Sequence, residues 1–138
     1  MRFGQATLQL NRTIFRDFNA QLASSNAAVD ICVESIKDDP RVTRFRDEFI
    51  ALKDSPNRYR LLGSINKLNP EQKNFLQETL PFLTKCRSVH VEGEAGLPVQ
   101  PITVESYRRL DLIYGRLLRG EITIGEANNE IDKSNEEV

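Results

Sequence analysis

Apolar residues recur along this chain every three to four positions, and strict alternation is rare, so the pattern predicts helices rather than strands. The first long segment runs from about Gln5 to Asp38. Placed on a helical wheel, Leu10, Ile14, Phe15, Phe18, Leu22, Val29, Cys32, Val33 and Ile36 fall within an arc of about 140°. Ile31 is the main exception, and Arg12, Arg16, Asn19, Asp30, Glu34 and Lys37 take the other side. A straight helix of this length would be roughly 50 Å long. That exceeds the width of a compact fold this size, so either one end projects or the helix breaks. Ser24-Ser25-Asn26 is its weakest stretch, because short polar side chains compete for backbone hydrogen bonds. The stripe is the longest in the chain and predicts the central helix of the fold.

Three further segments open on a polar residue followed by proline: Asp39-Pro40, Ser55-Pro56 and Asn69-Pro70. Proline suits the first helical position, where its missing N–H would have had no partner. After Pro40, the residues Val42, Phe45, Phe49 and Leu52 share a face. After Pro56, Tyr59, Leu62 and Ile65 do so, with Leu61 at the edge. After Pro70 a broad face carries Phe75, Leu76, Thr79, Leu80, Phe82, Leu83 and Cys86. Pro81 interrupts that last pattern and predicts a kink or an early end.

From Ser88 to Ile102 the helical period disappears. Val89-His90-Val91 alternates, Gly93 and Gly96 flank a turn, and Pro98 and Pro101 punctuate the rest. This reads as a long loop or a small irregular hairpin. Helical signals return at Thr103, with Tyr107, Leu110, Ile113, Tyr114, Leu117 and Leu118 on one face. Gly120 is a C-terminal stop, and Thr123 to Glu126 forms a capping box before a short polar helix. The expectation is an all-α fold: an irregular antiparallel bundle of five or six helices in one domain over residues 1–138. It carries one long loop or small hairpin at about 88–102 and a C-terminal helical hairpin, 104–133, packed on the rest.

Composition narrows the function classes. The chain has 138 residues, 39% of them hydrophobic and 28% charged, which suits a single globular domain. The net charge of −1 offers no global field for nucleic acid or an anionic membrane. No apolar run approaches the roughly 20 residues of a membrane span. The start, Met1-Arg2-Phe3-Gly4-Gln5, lacks the apolar core of a secretory signal. A cytoplasmic protein and a periplasmic or secreted one with its signal removed both fit. With no Trp, the core must be built mainly from Leu, Ile and Val, with Phe as anchors.

Candidate chemistry is sparse. His90 is the one histidine and would need a partner to act as a general base. Cys32 and Cys86 match no zinc or redox spacing. Both fall on apolar helix faces, leaving two readings: separate buried thiols, or a disulfide that closes the intervening loop in an oxidising compartment. Arg108, Arg109 and Arg116 form a basic helix face, but acidic residues sit among these and the other arginines. Mixed signs predict solvated faces and argue against nucleic acid. No phosphate loop, nucleophile elbow or zinc-helix motif occurs, and no cofactor or metal site is expected.

The reading that follows is a non-catalytic helical protein acting through contacts with another protein or itself. His90, Glu92, Glu94 and Leu97 of the long loop are the candidate interaction residues. Two alternatives stand beside it. One is a small-ligand binder or enzyme with a site between helices, lined by His90 with Glu92 or Glu94, or by Tyr107 with Tyr114. The other is a weak nucleic-acid binder using the arginine faces.

Overall fold

A computed structural model describes the backbone of residues 3–137 and the side chains of residues 16–136. Among the described residues all the regular structure is helical, with no strand. The elements are α1 (Phe3–Ile36), α2 (Pro40–Glu48), α3 (Arg58–Leu62), α4 (Pro70–Leu83), α5 (Cys86–Gly93), α6 (Gln100–Leu118) and α7 (Ile124–Glu137). Six of these are helices of eight residues or more; α3 is little more than one turn.

Local cap chemistry starts several helices where the sequence puts it. Asp39 accepts the Arg41 N–H at 2.9 Å ahead of Pro40. Asn69 and Gln72 cap each other's backbone N–H groups at the head of α4. Thr123 and Glu126 do the same for α7. Each box satisfies two donors that a helix start otherwise leaves unpaired.

Ser55-Pro56 is the exception. The chain there turns twice before α3 begins at Arg58, with Asn57 in the capping position. The Asn57 amide donates to the carbonyls of Arg46 and Asp47 and so ties this loop to the end of α2. Because α3 ends at Gly63, the predicted Tyr59–Leu62–Ile65 face does not form. Tyr59 and Ile65 are 85% and 87% exposed, and Leu61 is the buried residue instead. Residues 64–66, outside any helix, then run beside the start of α7, which donates from Ile124 to Asn66 and from Gly125 to Ser64. The helix carrying Pro81 stops at Leu83, two residues beyond the proline.

The long loop or hairpin at 88–102 is not formed. Residues Cys86–Gly93 are helical, α6 begins at Gln100 with Pro101 in its first turn, and only 94–99 separate them. The Val-His-Val alternation is too short to outweigh packing, since strand propensity is largely a record of context. On α5 the spacing that matters is seven. Cys86 is joined to Cys32, and Gly93 packs on Ser25, also seven residues apart, so α5 lies antiparallel along α1. Gly96, at φ +79°, makes the turn that follows.

The main core gathers Phe49, Ile50, Leu61, Leu68 and Leu76 with Ile113, Tyr114 and Leu117 of α6 and Ile122, Ile124, Ala127 and Ile131 around α7. Asn128 stitches this core together. It donates to the Phe49 carbonyl at 2.8 Å and accepts the Ala51 N–H at 2.9 Å. Helix α6 touches α4, α5 and α7, and it holds the central position expected of the first segment. None of the described side chains of α1 belongs to this cluster. Its apolar stripe is long, but the element packed closely along it is the eight-residue α5. Of its described side chains only Ser25 and Ile36 are buried, and Phe18 is 39% exposed. Leu10, Ile14 and Phe15, which the sequence placed on the same stripe, lie outside the described side chains.

Candidate functional site

The residues with the most distinctive chemistry converge where α5 sits between α1 and α6. Arg87 and His90 are one turn apart on α5, Glu94 follows its last residue, and Tyr107 and Asp111 are one turn apart on α6. Those spacings put each set on a single helix face. The His90 Nδ1 lies 2.6 Å from the Tyr107 hydroxyl, with the rings edge-to-face. Its Nε2 faces Glu94 Oε2 at 3.6 Å. Arg87 lays its guanidinium over the Tyr107 ring, 4.9 Å from the centroid, and pairs with Asp111 at 2.5 Å.

Apart from the exposed Asp111, this cluster is half-buried to buried. Burial pushes the Tyr107 hydroxyl above the usual tyrosine range; Arg87 opposes that shift and Glu94 adds to it. Tyr114, deeper beside Phe45, is raised by burial as well. The Glu94 side chain is 5% exposed. Its Oε1 and the Ser25 Oγ are buried without a hydrogen-bond partner among the described residues. Uncompensated burial of such groups is costly, so the seam between α1 and α5 is held against a polar penalty. What holds it is the Cys32–Cys86 bridge, with Cα atoms 5.8 Å apart, and Gln21. The Gln21 amide donates to the Gly93 and Ala95 carbonyls at 3.2 and 2.8 Å.

The structure therefore joins His90, Glu94 and Tyr107 from the two sets the sequence offered as alternatives, and leaves Glu92 exposed and Tyr114 in the core. Both His90 ring nitrogens face groups of the protein itself, an arrangement suited to fixing α5 against α6. Of the four residues assigned to an interaction loop, Glu94 and Leu97 are buried, at 4% each. The segment is a helix followed by a tight turn, and Glu92 is the exposed one of the four.

The basic face is compensated. Arg108 and Arg109 both reach Glu105, and Arg116 pairs with Glu130 at 2.8 Å. Among the described residues, no group of three or more His, Cys, Asp or Glu side chains could hold a metal ion. No described helix is long and apolar enough to cross a membrane.

Three concavities surround the cluster or lie near the core. A cleft of about 650 Å³ is lined by Arg60, Ser64, Asn66, Lys67 and Gln72. A groove of about 500 Å³ between α5 and α6 has Val91, Val104 and Tyr107 in its walls, with Arg87, Arg108 and Asp111 among the charged lining. A smaller cavity of about 230 Å³ lies beneath α1. The disulfide was one of the two readings the sequence offered for Cys32 and Cys86, but the packing of α5 along α1 escaped it. The matching seven-residue spacings of Ser25–Cys32 and Cys86–Gly93 were the signal that could have found it. In comparisons with known proteins, no family model, no curated protein and no solved structure matched this chain.

Proposed function

We propose that this is a non-catalytic protein that works through protein–protein contact, with α1 as the contact element. One observation carries the reading: α1 is the longest helix, yet none of its described side chains joins the main core cluster, and several apolar ones are turned outward. Its 34 residues span about 50 Å, whereas the eight-residue α5 covers about 12 Å of it. Ile31 is 73% exposed, and Phe18 and Val33 are 39% and 40% exposed. Most helical stability comes from packing an apolar face, and a helix with Ser24-Ser25-Asn26 in its middle gains little from propensity. A protein partner, or a second copy of the chain, supplies the missing packing. The Cys32–Cys86 bridge favours an oxidising compartment for this role. Free-thiol counting on native protein checks that part separately.

The test compares the intact oxidised chain with a Phe18→Glu/Ile31→Glu variant. Both are examined by light scattering across a concentration series and by affinity capture from extracts of the source cells. The expectation is association, with itself or with a captured protein, that the variant loses while its circular dichroism is unchanged. A strict monomer with the same capture profile as the variant would overturn the proposal.

A further inference from the structure

The cavity beneath α1 has a composition that selects a ligand class. Its walls include Val29 of α1, Phe45 of α2, Leu83 of α4, and Leu110 and Tyr114 of α6. Arg87 is the one charged residue among the described lining. Apolar walls that are left unfilled forfeit dispersion contacts on one side. A dry apolar cavity of about 150 Å³ takes a benzene molecule, so about 230 Å³ holds roughly nine non-hydrogen atoms in proportion.

The single cation fixes the sign of the polar end. A guanidinium carries five N–H donors in a planar fork that matches a carboxylate. Arg87 gives its Nη1 to Asp111, whose carboxylate is 62% exposed and lines the neighbouring groove rather than this cavity. Arg87 itself is 20% exposed and also interacts with the Tyr114 hydroxyl, and the five N–H donors of a guanidinium outnumber these two acceptors. Within apolar walls the attraction between Arg87 and an anion is screened less than it would be in water.

We propose that this cavity binds a small carboxylic acid with an apolar body of medium-chain or aromatic type. Its carboxylate sits on Arg87 and its body between Val29, Phe45, Leu83 and Leu110. The site needs α1 docked as seen but does not depend on α1 having a protein partner, so either proposal can fail alone.

The experiment uses the full oxidised chain with octanoate, benzoate, octanol and octylamine as probes. Calorimetry gives affinity, and methyl NMR of Val29, Leu83 and Leu110 gives location. Octanoate should bind saturably, about tenfold tighter than octanol, and octylamine should bind more weakly than either. Arg87→Gln should erase the difference between acid and alcohol while keeping octanol binding, which also shows that the variant is folded. Leu110→Trp, which fills the space, should remove both. Three results would each overturn the proposal: no saturable binding of either acid at millimolar concentration, shifts confined to other methyls, or a preference for acid that survives in Arg87→Gln.

Discussion

Gly125→Ala should cost the fold about 3 kcal/mol, although alanine is the better helix former. The residue lies in the first turn of α7, against the backbone of Leu62 and Ser64 at the end of α3. A Cβ there would lie 2.8 Å from the Leu62 carbonyl oxygen, 3.1 Å from the Ser64 nitrogen and closer still to the Ser64 carbonyl oxygen. All of these atoms are backbone, so no side chain can swing aside. Forcing the segments apart costs about 1–3 kcal/mol by the measure of overpacked cores. The same movement stretches the bonds from Gly125 to Ser64 at 3.0 Å and from Ile124 to Asn66 at 2.8 Å, together about 2 kcal/mol. Alanine returns at most about 1 kcal/mol of helix propensity. The net loss should lower Tm by about 10 °C. Gly115→Ala is the control. Its Cβ would meet only the Arg119 guanidinium, with Nη1 at 3.0 Å, which can move away. That variant should gain about 0.5–1 kcal/mol. Urea unfolding followed by circular dichroism measures both. A Gly125→Ala variant within about 0.5 kcal/mol of the parent would refute the packing of α3 against α7.

Three further outcomes follow from named contacts. Asn128→Ala removes the bonds to Phe49 and Ala51 in the core and should cost about 3 kcal/mol, read from the urea midpoint at unchanged m-value. Gly93→Ala should weaken the α1–α5 seam, because its Cβ would come 2.8 Å from the Ser25 Cβ. Ser25→Gly in the same chain should restore much of the loss in a double-mutant cycle. The Asp39 carboxyl is held down at about 2 by hydrogen bonds from Arg41. A depressed carboxyl stabilises above its unfolded value and loses that contribution as pH falls through the folded one, so the effect fades between about pH 4 and 2. Asp39→Asn should flatten that part of the acid limb in a stability–pH profile.

What the sequence made legible was the chemistry that closes within a few residues. Asp39 before Pro40, Asn69 before Pro70, and Thr123 with Glu126 all cap as their spacing implies, since the partners are held together by the helix they start. Asn57 was not legible as the head of α3, because its side chain bonds Arg46 and Asp47, on a different element. The same holds for Val89-His90-Val91, whose helical state depends on Cys86 and Gly93 meeting α1. The extent of the α1 helix was read to within two residues, but a stripe does not state the length of the surface opposite it, and that decided which helix is central. The residues of the polar cluster were visible by type. Joining His90 to Tyr107, 17 positions away, required knowing that α5 and α6 fold back on each other.

Hydrogen exchange read by mass spectrometry, on the oxidised chain and again after gentle reduction, separates α1 from the core most directly. The bridge spans 54 positions, a constraint of about 4 kcal/mol, or roughly a thousandfold in an opening equilibrium. Reduction should speed exchange in α1 from Ser24 to Ile36 by up to that factor while the slow amides of α6 and α7 keep their rates. Amides of α6 accelerating in step with those of α1, or α1 already the best-protected helix, would contradict a peripheral α1 and the contact role built on it.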